Sequence, residues 1–185
     1  MATRLALRSS SREGSLPDQL GTLRSPPVPF AEVERLSPNR DLAPPHEQLG
    51  VVFHHTELSY DDTIARMLRP ESKVSYHCVI AGDGARCRLV PDAAVAWHAG
   101  ASQFMGRTGC NAFLLGVAFA GDTDRAPLTS LQLASALEWL AARWLLRGWT
   151  IERMTDHRQV APGRKRDLNP TEWLRLRAAI AARFG

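Results

Sequence analysis

Val51-Val52-Phe53 is an unbroken apolar run that ends in His54-His55, and it constrains the fold more than any other segment. A short apolar run of this kind reads as a buried strand. Phe113 to Phe119 reads the same way. Between and after these runs lie helical patterns. Asp61 to Leu68 reads as a helix, with Ser59 as its cap, Asp62 in an acidic first turn and Pro70 as its stop. Ile64, Met67 and Leu68 are its inward residues. Ser75–Ala81 and Ala85–Val90 flank Gly82-Asp83-Gly84, which reads as a hairpin because Asp-Gly supplies the positive φ angles of a tight turn. Thr129 opens a long helix with Gln132 in the capping-box position, and Gly148 ends it. Leu133, Leu137, Leu140, Ala141 and Trp144 are its expected buried stripe. Ile151 to Met154 reads as a short strand. Asn169-Pro170 starts the last helix, with Glu172 completing the cap and Trp173, Leu176 and Ile180 facing inward. The expected fold is therefore α/β: a single domain with a central mixed β-sheet flanked by helices.

The chain has 185 residues, 44% of them hydrophobic, which is enough for one folded domain and too apolar for a wholly disordered chain. Residues 1–27 are rich in Ser, Arg, Gly and Pro and read as a flexible leader. Residues 28–185 read as the folded domain, with residues 28–49 an irregular lead-in carrying Pro29, Pro38, Pro44 and Pro45. No run approaches the roughly 18 apolar residues that cross a bilayer, so no membrane span is expected. The N-terminus has basic residues without the apolar core of a secretory signal, and a cytoplasmic chain is expected, with phage lysis or an unusual export route as the other options. The net charge is +4, with acids and bases interspersed, so no nucleic-acid partner is expected. Cys78, Cys87 and Cys110 are an odd set that reads as free thiols. The oligomeric state is not set by these features.

Six His are present. His54 ends one strand run, and His157 follows Met154-Thr155-Asp156. Asp167 lies past the turn Ala161-Pro162-Gly163, in a loop able to curl back toward His157. Two imidazoles and a carboxylate are a ligand set that leaves a tetrahedral metal one open position. Their spacing is weak evidence by itself, and structural roles for all three remain open on that basis.

Their neighbourhoods carry more. Val52-Phe53-His54-His55-Thr56, Val74 to Ile80 with Asp83-Gly84, Ala96-Trp97-His98-Ala99-Gly100, Gly106 to Asn111, and Asp156-His157 through Arg164-Lys165-Arg166-Asp167 occur in that order. Together they resemble the type 2 N-acetylmuramoyl-L-alanine amidases, a family that includes AmpD-like recycling amidases, phage amidases and animal peptidoglycan recognition proteins. The resemblance runs from about Ser37 to Pro170. It implies that family's mixed-sheet fold, a Zn2+ cofactor, and hydrolysis of the amide between the lactyl group of N-acetylmuramic acid and L-alanine. Peptidoglycan or muropeptide fragments are the implied partners. By position, His54, His157 and Asp167 match the zinc ligands, and Asp at 167 matches the bacterial recycling branch. His55 matches a variable position. Lys165 matches the catalytic Lys, whose ammonium would face the developing oxyanion.

One position departs from the recycling branch. Ala118 stands where that branch has a catalytic Glu. The phage enzymes lack that Glu and use a Tyr in the motif matched by Ser75-Tyr76-His77, so Tyr76 and Lys165 are the expected catalytic pair. A neutral phenol is a poor general base, and orienting water or donating to the oxyanion suits it better. Trp97, His98, Arg107 and Asn111 match the region that lines the substrate groove. Arg107 is the expected partner of a stem-peptide carboxylate. The alternative reading is a peptidoglycan-binding module without catalysis. Such members lose a zinc ligand, and all three positions are filled here.

Overall fold

A computed structural model describes residues 29–185, so the expected leader lies outside the described residues. Ten strands and four helices follow in chain order: β1 (Glu32–Glu34), β2 (Arg40–Asp41), β3 (Gly50–His55), α1 (Tyr60–Met67), β4 (Cys78–Ile80), β5 (Arg86–Arg88), β6 (Val95–Ala96), β7 (Gln103–Phe104), β8 (Arg107–Thr108), β9 (Leu114–Phe119), α2 (Ser130–Arg147), β10 (Met154–Asp156), α3 (His157–Val160) and α4 (Pro170–Phe184). Six strands form one sheet in the order β1-β5-β4-β9-β3-β10. Its pairings are parallel except for the β4–β5 hairpin, where Cys78 lies opposite Arg88 and Val79 opposite Cys87. This is the mixed sheet expected, and the three Cys are free and buried.

The central strands β3 and β9 are buried along their whole length. Successive side chains alternate between the two faces of a strand. Val51 and Phe53 of β3, with Leu115, Val117 and Phe119 of β9, pack against Trp139 and Leu140 of α2 and Trp173, Leu176 and Ile180 of α4. The opposite face carries Val52 and His54, with Gly116 and Ala118 as their register partners. On that face Ala118 packs with Ile64 and Met67 of α1 and with Tyr76, while Val52 packs with Val160 of α3. The functional residues therefore lie on the α1/α3 face, and α2 with α4 forms the larger core behind them.

Caps follow the sequence closely. The Ser59 side chain accepts from the Asp62 N–H, and Thr129 with Gln132 forms the complete capping box of α2. Three details differ from expectation. The α2 stripe is rotated: Ala136 and Trp139 are buried in it, whereas Ala141 is exposed. Residues Ile151–Arg153 form a 3-10 turn, and the strand begins only at Met154, because its partner β3 starts beside that point, with Val51 opposite Met154. Glu172 does not close the cap of α4; its carboxylate accepts from the Leu128 N–H and pairs with Arg175. The long segment after Ala96 is an ordered loop that contains the small β7–β8 hairpin.

Candidate metal centre

β10 pairs with β3 in parallel, so His157, the residue just beyond β10, is brought beside the C-terminal end of β3. Asp156 caps α3 by accepting from the Gln159 N–H at 2.7 Å, which fixes where His157 starts its turn. The loop after α3 then folds back, and the Arg158 N–H donates to the Asp167 carbonyl at 2.8 Å. This places Asp167 over the two imidazoles. Because alternation puts neighbours on opposite faces, His55 turns away from the group and meets Thr123 at 2.6 Å instead.

The result is a triangle of three atoms. His54 Nδ1 and His157 Nδ1 are 3.0 Å apart, and Asp167 Oδ2 lies 3.2 Å from the first and 3.1 Å from the second. Ligands held at about 2.0–2.1 Å around a tetrahedral ion are separated by roughly 3.3 Å, so the triangle has the size of one coordination face. His157 Nε2 lies 3.3 Å from the Ala99 carbonyl, to which it can only donate, and a neutral ring then presents its Nδ1 lone pair to the triangle. Nitrogen lone pairs and a carboxylate converging on one point are the donor set of a cation, and the residues fit zinc.

Electrostatics agree. His54 is fully buried, and burial with the neighbouring His157 lowers its pKa to about 4, so it stays neutral and able to bind a metal at neutral pH. No other group of three or more His, Cys, Asp or Glu side chains with this convergence occurs among the described residues.

The triangle opens into a cleft of about 340 Å³ whose walls include Tyr76, His98, Lys165, Glu57, Thr63 and Arg66. The Tyr76 ring packs 5.0 Å from the His54 ring, centroid to centroid. Of the basic run 164–166, Arg164 bonds the carbonyls of Ala99 and Ala101 at 2.5 and 2.7 Å, whereas Lys165 faces the cleft.

The four expected groove residues separate. His98 lines the cleft. Trp97, Arg107 and Asn111 are not among its lining residues. The Trp97 indole donates to Asp41 at 2.9 Å. Arg107 forms a two-pronged pair with Glu47 at 3.0 and 2.6 Å and stacks over Phe113. Asn111 Oδ1 accepts from the His98 and Ala99 N–H groups at 3.1 and 2.7 Å, so its amide shapes the loop. Glu57 had no motif to mark it. It reaches the wall because Glu57 N–H bonds the Gly121 carbonyl at 2.9 Å and its backbone turns at φ 59°.

Comparison with known proteins decides the family. The profile of the N-acetylmuramoyl-L-alanine amidase family, Amidase_2, matches residues 44–170, which hold the whole triangle. This chain belongs to that family. Among curated relatives it is 39% identical over 113 residues to the 1,6-anhydro-N-acetylmuramyl-L-alanine amidase AmpD of Salmonella typhimurium, and 36% identical over 110 residues to that of Escherichia coli. These matches cover 59% of this chain in both cases, and 58% and 60% of the relatives, so the chain spans about three-fifths of their length. A crystal structure of AmpD superimposes with a TM-score of 0.70 at 28% identity, covering 83% of this chain and 95% of that one. The fold is also that of AmiD from E. coli, solved with anhydro-N-acetylmuramic acid-L-Ala-D-gamma-Glu-L-Lys, at a TM-score of 0.63 and 22% identity over 74% of this chain and 59% of that one. No helix among the described residues of this amidase-family chain is long and apolar enough to cross a membrane.

Proposed function

We propose that this protein is a zinc-dependent N-acetylmuramoyl-L-alanine amidase acting on muropeptides. The His54–His157–Asp167 triangle at the base of an open cleft carries the reading. Family membership and the names of the AmpD relatives support the substrate class. The three triangle residues would hold the zinc, which when bound supplies an acidified water and polarises the scissile carbonyl.

The chain's own groups do the rest. The Lys165 ammonium stands on the cleft wall to stabilise the negative charge that develops on the carbonyl oxygen. Burial pushes the Tyr76 phenol well above its ordinary pKa, so it serves as a neutral hydrogen-bond donor rather than a base. Asp167 and Glu57 are the carboxylates that line the cleft. Asp167 faces the two imidazoles, so Glu57, whose Oε1 lies 3.8 Å from His55 Nε2, is the carboxylate proposed to accept a proton. Arg107 lies outside the cleft lining, and it would bind a stem-peptide carboxylate by exchanging it for Glu47.

The test combines a zinc assay with digestion of a soluble anhydromuropeptide and of intact sacculi, with and without a chelator, read by mass spectrometry. Release of a stem peptide beginning in L-alanine, lost on chelation and lost with zinc in His157→Ala, is the expected result. Bound zinc with no cleavage of either substrate would overturn the amidase reading and leave a binding module.

A further inference from the structure

We infer that His98 is a positioning residue of this centre: with the Leu114 carbonyl and Gly116 it fixes the tautomer of His54, leaving His54 Nδ1 bare for the cation. The inference rests on the reading of the triangle as a metal site.

The logic is a chain of proton positions. His98 Nε2 lies 2.9 Å from the Leu114 carbonyl oxygen. A carbonyl only accepts, so Nε2 carries the hydrogen. A neutral imidazole has one N–H, and His98 Nδ1 is then an acceptor. The ring's partners are a carbonyl and an imidazole, neither of them an anion that would hold a second proton. His98 Nδ1 lies 3.0 Å from His54 Nε2, which must therefore donate. His54 in turn is left with a lone pair on Nδ1, the atom that faces His157 and Asp167. Without this relay a second tautomer is open to His54: Nδ1–H donating to Asp167 Oδ2 across 3.2 Å. That form puts a proton where the cation belongs. Metal-binding imidazoles usually anchor the other ring nitrogen on a carbonyl, carboxylate or water. His157 does so directly on Ala99, whereas His54 reaches its carbonyl through a second ring.

The surroundings are shaped to hold that ring. A Cβ on residue 116 would lie 2.5 Å from His98 Cγ, so only glycine lets the imidazole lie on the backbone of β9. The Gly116 N–H donates to His77 Nδ1 at 2.9 Å, and the Leu114 carbonyl also meets His46 Nε2 at 3.2 Å. Asn111 holds the backbone at His98 from the other side. His98 thus acts on the reaction through His54, in addition to lining the cleft.

The test uses the full chain with His98→Leu and His98→Asn. Asn is chosen because its side-chain oxygen can accept near the place of Nδ1. In the metal-free wild type, nitrogen-15 correlation spectra should show His54 as the Nε2–H tautomer. His98→Leu should admit the Nδ1–H form and weaken zinc binding by about 10–100-fold, measured against a chromophoric chelator. His98→Asn should recover most of that affinity. An Nδ1–H His54 in the wild type, wild-type zinc affinity in His98→Leu, or no recovery in His98→Asn would each overturn the inference. Failure of the wild type to bind zinc would instead overturn the metal-site reading beneath it.

Discussion

Ala118 is the register partner of His54 across β3 and β9, so its methyl group shares a sheet face with the imidazole. It is fully buried among Ile64, Met67, Tyr76 and Val79. The position that holds a catalytic Glu in the resembling recycling amidases is here part of the hydrophobic packing. Ala118→Glu should therefore destabilise the protein by about 2–4 kcal/mol, through overpacking and a buried carboxyl. Urea unfolding of the zinc-loaded protein measures this. A stable variant would show that the site has kept space for the carboxylate.

Lys165 and Asp167 are two residues apart, yet one lines the open cleft and the other closes the triangle. Lys165→Ala should keep stoichiometric zinc and lose about 10²–10³-fold in turnover, the size expected when one stabiliser of a developing oxyanion is removed. Loss of zinc together with activity would make Lys165 a structural support of the loop.

Much of this was legible in the sequence where a local signal and a tertiary contact coincide. The Val51–His55 run, the Thr129–Gln132 box and the Asp83-Gly84 turn each specify their own geometry. The triangle was legible only through its motifs, because no periodicity states that β10 lies beside β3. What escaped reading was set by partners distant in the chain. Glu172 left its expected cap for Leu128, which lies 44 residues away. Trp97, Arg107 and Asn111 carry groove-like side chains, but Asp41, Glu47 and the loop backbone engage them. Ala141 lost its place in the α2 stripe because the sheet meets that helix along Ala136 and Trp139, a choice made by packing and not by composition.

Tyr76 and Glu57 both line the cleft wall. Tyr76→Phe removes the hydroxyl proposed to donate to the reacting group and should lower kcat roughly 10–100-fold, with zinc retained. Because burial holds the phenol neutral well above its ordinary pKa, the alkaline limb of the rate profile should keep its shape in this variant. Glu57→Gln should lower kcat by about 10²-fold, as the loss of a general base does. Full activity in Glu57→Gln would return proton transfer to another group.

His77 supplies a prediction on stability and pH. Its Nδ1 accepts from the Gly116 N–H at 2.9 Å, and its Nε2 donates to the Ala94 carbonyl at 3.0 Å, so only the neutral ring satisfies both. Burial lowers its pKa from 6.5 to about 3, with the neighbouring His46 acting in the same direction. Between those values the unfolded chain binds more protons than the folded one. The contribution of His77 is therefore fully present above pH 6.5 and is lost as the pH falls toward 3, at up to about 1.4 kcal/mol per pH unit. His77→Asn keeps an acceptor for the Gly116 N–H and removes the titration. With a chelator present in both samples, the denaturation midpoint of the wild type should fall more steeply than that of the variant between pH 6.5 and 4. Parallel slopes would mean that the folded chain does not hold His77 below its ordinary pKa.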